Sequence, residues 1–195
     1  MNIKEAMKNS IKTEIECTQD LLDNFQDEYV NVVEALDKCE GKIIFVAVGK
    51  SGHIAKKLAA TYASLGIPSF FVHATECMHG DLGMIEPKDI VIFVSNSGNT
   101  QEVTQVVPFV KQIGAKTIAF TGNEKSSLAM NCDMLIYYRK PVEADANNLA
   151  PTSSTTITLV LGDAIACALS KKRDFKKEDF HAFHPGGSLG KHLEI

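Results

Sequence analysis

Apolar residues in the first forty positions recur at helical spacing: Ile11 and Ile15, then Leu21, Leu22 and Phe25, then Tyr29, Val32, Val33 and Leu36. That period predicts two amphipathic helices ahead of the main fold. From Lys42 the pattern changes to short, β-branched, nearly continuous apolar runs at 43–48, 69–72, 89–94, 117–121 and 134–138. Each run is closed by small turn residues and followed by a helix-length segment, which is a βαβ rhythm. Apolarity without alternation means strands buried on both faces, and therefore a parallel sheet covered by helices on each side. The covering helices are expected near 53–65, 100–113, 126–130 and 152–170. Pro108, inside the second of these, predicts a kink or a split helix. Stretches 73–87 and 139–151 carry little periodicity, and loops of that length in a compact domain are often functional.

The chain has 195 residues, 45% of them hydrophobic and 23% charged, enough for one domain with a sizeable core and too apolar for disorder. The expected division is 1–40, helices for oligomer contact, and 41–195, the α/β domain. A net charge of −4 supplies no field to hold a polyanion, which argues against nucleic acid and anionic membrane surfaces as partners. Residues 1–10 carry Lys4, Glu5 and Lys8 without an apolar stretch, so no signal or transit peptide is expected. The longest apolar run, 43–48, is far short of the ~20 residues of a spanning helix. Five scattered cysteines without a CxxC pair read as free thiols in a reducing cytoplasm. Cys77 and His79 have the types of a metal pair, but no second pair stands nearby, and no metal site is expected.

Ligands of open α/β sheets sit beyond the carboxyl ends of the strands, and the loops there are rich in small polar residues. Gly49-Lys50-Ser51-Gly52 follows the first strand, and Ser95-Asn96-Ser97-Gly98-Asn99-Thr100 runs from the third straight into a helix. Glycines, hydroxyls and free N–H groups at a helix start suit a phosphate, although a turn with an N-cap uses the same residues. A third loop, Ala150-Pro151-Thr152-Ser153-Ser154-Thr155-Thr156, puts five hydroxyls where a cap needs one. Three such starts at one sheet edge point to a phosphate ester. Ile44 stands where a Walker loop needs glycine, and Ala47 where the dinucleotide fingerprint does, so both of those readings fail. Glu102 in a first helical turn, Glu143 in an irregular loop and His184 opening His-Pro-Gly-Gly could move protons; each also has a plain structural use. An ammonium beside a phosphate cradle, Lys50, has an obvious one.

These residues resemble the sugar isomerase (SIS) domain proteins, and within them the D-arabinose 5-phosphate isomerases. The resemblance runs from about Gly41 to Lys191. Its most specific pieces are Val48-Gly49-Lys50-Ser51-Gly52, Pro68-Ser69-Phe70-Phe71-Val72-His73, His79-Gly80-Asp81-Leu82-Gly83-Met84, Ser95-Asn96-Ser97-Gly98, Leu149-Ala150-Pro151-Thr152-Ser153-Ser154-Thr155 and His184-Pro185-Gly186-Gly187-Ser188-Leu189-Gly190. It implies a doubly wound, flavodoxin-like five-stranded sheet, an aldose–ketose isomerisation without redox or metal cofactor, and a homo-oligomer built as a dimer of dimers. It also implies that Lys50, Glu102, Glu143 and His184 stand at catalytic positions. Ser51, Gly52, His79, Ser95, Asn96, Ser97, Gly98, Thr100, Thr152, Ser153, Ser154 and Thr155 would then bind the sugar phosphate. Two departures stand out. Ala144-Asp145-Ala146-Asn147-Asn148 replaces the usual Cys-Pro-Leu after the glutamate, and the sequence ends at Ile195, where many members continue into cystathionine β-synthase-type modules. The rival expectations are an isomerase of another sugar phosphate, such as a hexulose 6-phosphate, and a non-catalytic phosphosugar-binding regulatory module.

Overall fold

Five short strands, β1 (Ile43–Ala47), β2 (Ser69–His73), β3 (Ile90–Val94), β4 (Lys116–Thr121) and β5 (Met134–Tyr137), form one parallel sheet in the order β2-β1-β3-β4-β5. The computed structural model describes residues 2–184. Every residue of β1 and β3 is buried, as two-sided covering requires. Ile43, Phe45 and Ala47 face one helical layer, while Ile44 and Val46 face the other. This is the flavodoxin-like order, whose switch point lies between β1 and β3.

The first layer holds α1 (Ile3–Asp23), α2 (Glu28–Asp37), α3 (Gly49–Ser64) and α8 (Ser153–Lys172). Tyr29, Val32 and Leu36 of α2 are fully embedded in it, and the Tyr29 hydroxyl donates to the carbonyl of Tyr137 at the end of β5. α1 buries Cys17 alone and leaves Ile3, Met7, Ile11, Ile15 and Leu22 exposed along one stripe. α8 has the length and composition of a spanning helix, but nine of its residues are buried, among them Ile157, Leu161, Ile165 and Leu169, which pack in the core under the sheet.

The second layer holds α4 (Ala74–Cys77), α5 (Gln101–Thr104), α6 (Val107–Ile113) and α7 (Ser127–Asn131). The helix expected over 100–113 is split into α5 and α6, with Pro108 in the first turn of α6, where its missing N–H costs nothing. The aperiodic stretch 73–87 contains α4 and a 3₁₀ turn, Asp81–Met84, both too short to show a period. A final helix, α9 (Lys177–Phe183), was not expected; its segment is polar apart from two phenylalanines and an alanine.

Candidate functional site

The loops after β1 and β3 leave the sheet on either side of the switch point. Gly49 turns the chain at φ +59° into α3, which begins without a side-chain cap. The first bond inside this turn runs from Gly52 N–H to Val48 C=O at 3.0 Å, so the N–H groups of Gly49, Lys50 and Ser51 have no intrahelical acceptor. The dipole of this sixteen-residue helix adds its positive end at the same place. Lys50 is exposed, and among the described residues neither its ammonium nor the Ser51 hydroxyl is engaged by another group. Gly52 is buried against the end of β1.

The β3 loop is fixed by its own hydroxyls. Ser95 Oγ accepts the Gly98 N–H at 3.1 Å and lies 2.9 Å from Thr100 Oγ1. Gly98 is obligatory: its φ is +65°, and a Cβ there would run into the Ser126 hydroxyl. Ser95 and Thr100 are thus committed to the turn, whereas Ser97 is exposed and its oxygen accepts, among the described residues, only the Asn99 N–H, at 3.2 Å. Glu102 follows on the first turn of α5, also exposed, with no ion pair or hydrogen bond among the described residues. His79 is exposed beside Gly80 in the loop beyond α4, and α4 packs on α5. Cys77, by contrast, is a buried thiol whose pKa burial and nearby Asp81 push up to about 11. Among the described residues, no three His, Cys, Asp or Glu side chains are grouped as a metal site.

Glu143 is the most elaborately held of the candidate groups. Its Oε2 accepts the Thr152 N–H at 2.8 Å, the Thr152 hydroxyl at 3.1 Å and the Ser154 N–H at 3.2 Å, at the positive end of α8. Burial raises its pKa, but Ser154 close by, the two N–H groups and the Thr152 hydroxyl outweigh that, and the carboxyl is held below its ordinary value. The Ser153 and Ser154 hydroxyls themselves are buried and, among the described residues, meet no partner at hydrogen-bonding geometry. All three donors fall on Oε2, which leaves Oε1 without a hydrogen bond among the described residues. A carboxylate so arranged is fully ionised near neutral pH and presents one free oxygen.

The segment that departs from the isomerase pattern builds this seat. Asn148, at φ +53°, accepts the Glu143 N–H on its side-chain oxygen at 2.7 Å. Asp145 Oδ1 accepts the N–H groups of Leu149 and Ala150 at 2.8 and 2.7 Å; these bonds, led by Leu149, hold its pKa down. Ala144 N–H donates to Thr152 Oγ1, and Ser10 of α1 donates to Ala144 C=O at 3.1 Å. Asp and Asn at such spacings are turn formers, which was the signal available in the sequence. Two further residues carried no signal: Tyr138, between the β3 loop and α8, and Thr158 on α8 itself, both buried.

His184 lies elsewhere. α9 packs at Gly66, just past the end of α3, where Phe175 and Phe183 stack at 6.3 Å. His184 stacks on Phe180 at 3.9 Å and pairs through Nδ1 with the Phe180 carbonyl at 2.9 Å. α3 spans the sheet, and sixteen residues at about 1.5 Å each separate this end from Gly49 by about 24 Å. Within one chain, therefore, Lys50, Ser51, His79, Ser95, Asn96, Ser97, Thr100, Glu102, Glu143 and the Thr152 to Thr155 cluster share the carboxyl edge, and His184 sits at the opposite edge. The remainder of its motif, from Pro185, lies outside the described residues.

The SIS domain family model matches residues 36–168. The chain is 45% identical over 192 residues to arabinose 5-phosphate isomerase KdsD of Shigella flexneri, covering 98% of this chain and 58% of that protein. It is 47% identical over 188 residues to KdsD of Pseudomonas aeruginosa, covering 96% and again 58%. It spans, then, a little under three fifths of the length of these curated relatives. A solved structure of Escherichia coli CFT073 c3406 in complex with arabinose 5-phosphate superimposes with a TM-score of 0.92 at 45% identity, covering 95% of this chain and all of that one. With more than half its length matched by the family model, and with the five-stranded sheet and hydroxyl-rich helix starts described above, the chain belongs to the SIS domain family.

Proposed function

We propose that this chain is an aldose–ketose isomerase converting D-arabinose 5-phosphate to D-ribulose 5-phosphate through an enediol. The observation that carries the reading is the Glu143 carboxylate, seated by three donors on Oε2 with Oε1 unbonded among the described residues, at the same sheet edge as the loops of Ser51 and Ser97. The names of the relatives at 45 and 47% identity, and the arabinose 5-phosphate held by the similar Escherichia coli structure, support the substrate.

The reaction moves one proton from C2 to C1 and one between the two oxygens. Glu143 Oε1 takes the C2 proton and returns it to C1, general catalysis of a kind worth about 10²–10⁴-fold. Glu102 relays the hydroxyl protons, and Lys50 stabilises the charge that develops on oxygen or rests on phosphate. The phosphate is held by the Ser51 and Ser97 hydroxyls and the free N–H groups at the start of α3, with Ser95, Thr100 and the Thr152 to Thr155 cluster shaping the loops around it. His79 orients its loop. His184 assists ring opening from a neighbouring subunit, because its own site is an α3 length away. A dimer of dimers formed through the exposed stripe of α1 brings it there. Free cysteines suit such a protein in the cytoplasm.

Purified chain incubated with arabinose 5-phosphate tests the reading: ribulose 5-phosphate is expected, with slower or no turnover of hexulose 6-phosphates. Preference for a hexulose 6-phosphate would transfer the reading to another isomerase of this fold. Tight binding of sugar phosphates without any turnover would make the chain a regulatory module.

A further inference from the structure

The β3 loop and the seat of Glu143 are joined by one buried side chain. Tyr138, 2% exposed and packed edge-on against Phe120, donates its hydroxyl to Asn96 Oδ1 at 3.1 Å. Its oxygen also lies 3.4 Å from Thr158 Oγ1, whose single proton goes to the Ser154 carbonyl at 2.8 Å. Ser154 N–H in turn donates to Glu143 Oε2. With the Thr158 proton on the Ser154 carbonyl, Asn96 Oδ1 at 3.1 Å is the nearer acceptor for the Tyr138 hydroxyl, and that lone pair is not available to a ligand. Burial pushes the Tyr138 hydroxyl up to about 12, so it remains a donor throughout the working range of an enzyme. The Asn96 main chain is pinned as well, its carbonyl accepting Gly122 N–H at 3.0 Å and Thr121 Oγ1 at 3.2 Å. What is left is Asn96 Nδ2, which has no partner among the described residues.

We propose that Tyr138 is a positioning residue that holds the Asn96 amide with its oxygen inward, so that Nδ2 is presented as a donor to an oxygen of the bound sugar phosphate. This rests on the isomerase reading above. It deepens that reading by assigning to Tyr138 and Asn96 a role in binding rather than in proton transfer. Tyr138→Phe removes one oxygen and keeps the ring in place against Phe120. The amide then loses its fixed orientation, and one hydrogen bond of ordinary strength to the ligand is lost for much of the time.

The test is steady-state kinetics on arabinose 5-phosphate with Tyr138→Phe, Asn96→Ala and the double variant. The expected result is KM raised about tenfold in Tyr138→Phe, the scale of one such bond, with kcat within about threefold of wild type. The double variant should be no worse than Asn96→Ala alone, because Tyr138 acts through Asn96. An unchanged KM, a loss confined to kcat, or losses that multiply in the double variant overturns the proposal while leaving the isomerase reading intact. A wild-type chain that neither turns over nor binds any sugar phosphate overturns both. Should Tyr138→Phe fail to fold, Asn96→Asp decides: it keeps an acceptor for Tyr138 but deletes Nδ2, so KM must rise, and an unchanged KM refutes the assignment.

Discussion

Glu143 Oε2 accepts both the main-chain N–H and the hydroxyl of Thr152, at 2.8 and 3.1 Å, so the residue that caps α8 by position gives its side chain to a carboxylate nine residues earlier. The helix end stays neutralised by the carboxylate instead of by its own hydroxyl. The irregular segment 139–151 is thereby closed onto the first turn of a core helix, and the one free carboxylate oxygen is held still.

That relationship sets the response to pH. The Glu143 pKa lies below its ordinary value, so the carboxylate is retained to lower pH than in an unfolded chain, and the stabilisation it brings is present above the ordinary value and is lost as pH falls through the lowered one. Glu143→Gln should reduce kcat about 10²–10⁴-fold with arabinose 5-phosphate still bound. Its melting temperature should fall below wild type at neutral pH and approach it in acid. Thr152→Val deletes one of the lowering donors, so the acid limb of kcat/KM should move to higher pH. A limb that stays in place would remove Glu143 as the base and leave Glu102.

The sheet was legible because parallel strands buried on two faces need unbroken apolar runs, and the runs of β1 and β3 are written that way. The split at Pro108 followed from its missing N–H. The hydroxyl cluster at 152–155 was legible as a helix start, but not its use: Thr152 serves the Glu143 carboxylate because Asp145 and Asn148 fold the intervening loop back, and no local period records such a path. Tyr138 reads in sequence as the last apolar residue of a strand, and its hydroxyl acquires meaning only when β5 is laid beside β4 and Asn96 comes within reach. His184 shared a motif with the family but not an edge of the sheet with Glu143; that separation depends on where α9 docks.

Ser97 is the hydroxyl in the β3 loop least committed to the fold. Ser97→Ala leaves the Ser95, Gly98 and Thr100 contacts standing and removes a hydroxyl proposed to hold the phosphate, along with an acceptor for Asn99 N–H. Substrate and product should bind roughly three- to tenfold more weakly, the value of one hydrogen bond, with kcat little changed. Ser95→Ala, in contrast, takes a partner from a buried N–H and should lower the melting temperature as well. Equal melting temperatures for the two variants would contradict this division.

Asp89 is a buried polar anchor of the fold away from the site. It is 1% exposed, with Oδ1 accepting Lys42 N–H at 2.7 Å, Oδ2 accepting Glu86 N–H at 2.8 Å and the Lys42 ammonium at 3.4 Å. It ties the entry of β1 to the entry of β3 at the edge opposite the loops. Asp89→Ala leaves two backbone donors unpaired and should cost about 3 kcal/mol in denaturant unfolding. KM in the folded fraction should change little, because Glu143 and the loops of Ser51 and Ser97 lie at the carboxyl edge of the sheet.

The position of His184 makes the strongest demand on assembly. Glu143 stands at the carboxyl edge and His184 at the end of α9, whose Phe183 packs at Gly66 just past α3, so a single chain cannot bring them to one substrate without undocking α9. If a neighbour supplies His184, the defects Glu143→Gln and His184→Ala complement each other: a hybrid pair carries one site with both groups intact and one with neither. Random mixing of equal amounts in a twofold pair gives half hybrids, each with half its sites restored, so about a quarter of wild-type activity should return after co-refolding. The same variants refolded separately and then mixed should gain less, as far as the stripe of Ile3, Met7, Ile11, Ile15 and Leu22 resists exchange. Hybrids that form, by mass or by tagged co-purification, and stay inactive would mean that His184 acts within its own chain or not at all. A charge on that stripe, such as Ile11→Glu, should yield smaller assemblies and weaken turnover in proportion to the sites taken apart, and small assemblies with full activity would show that the site is complete within one chain.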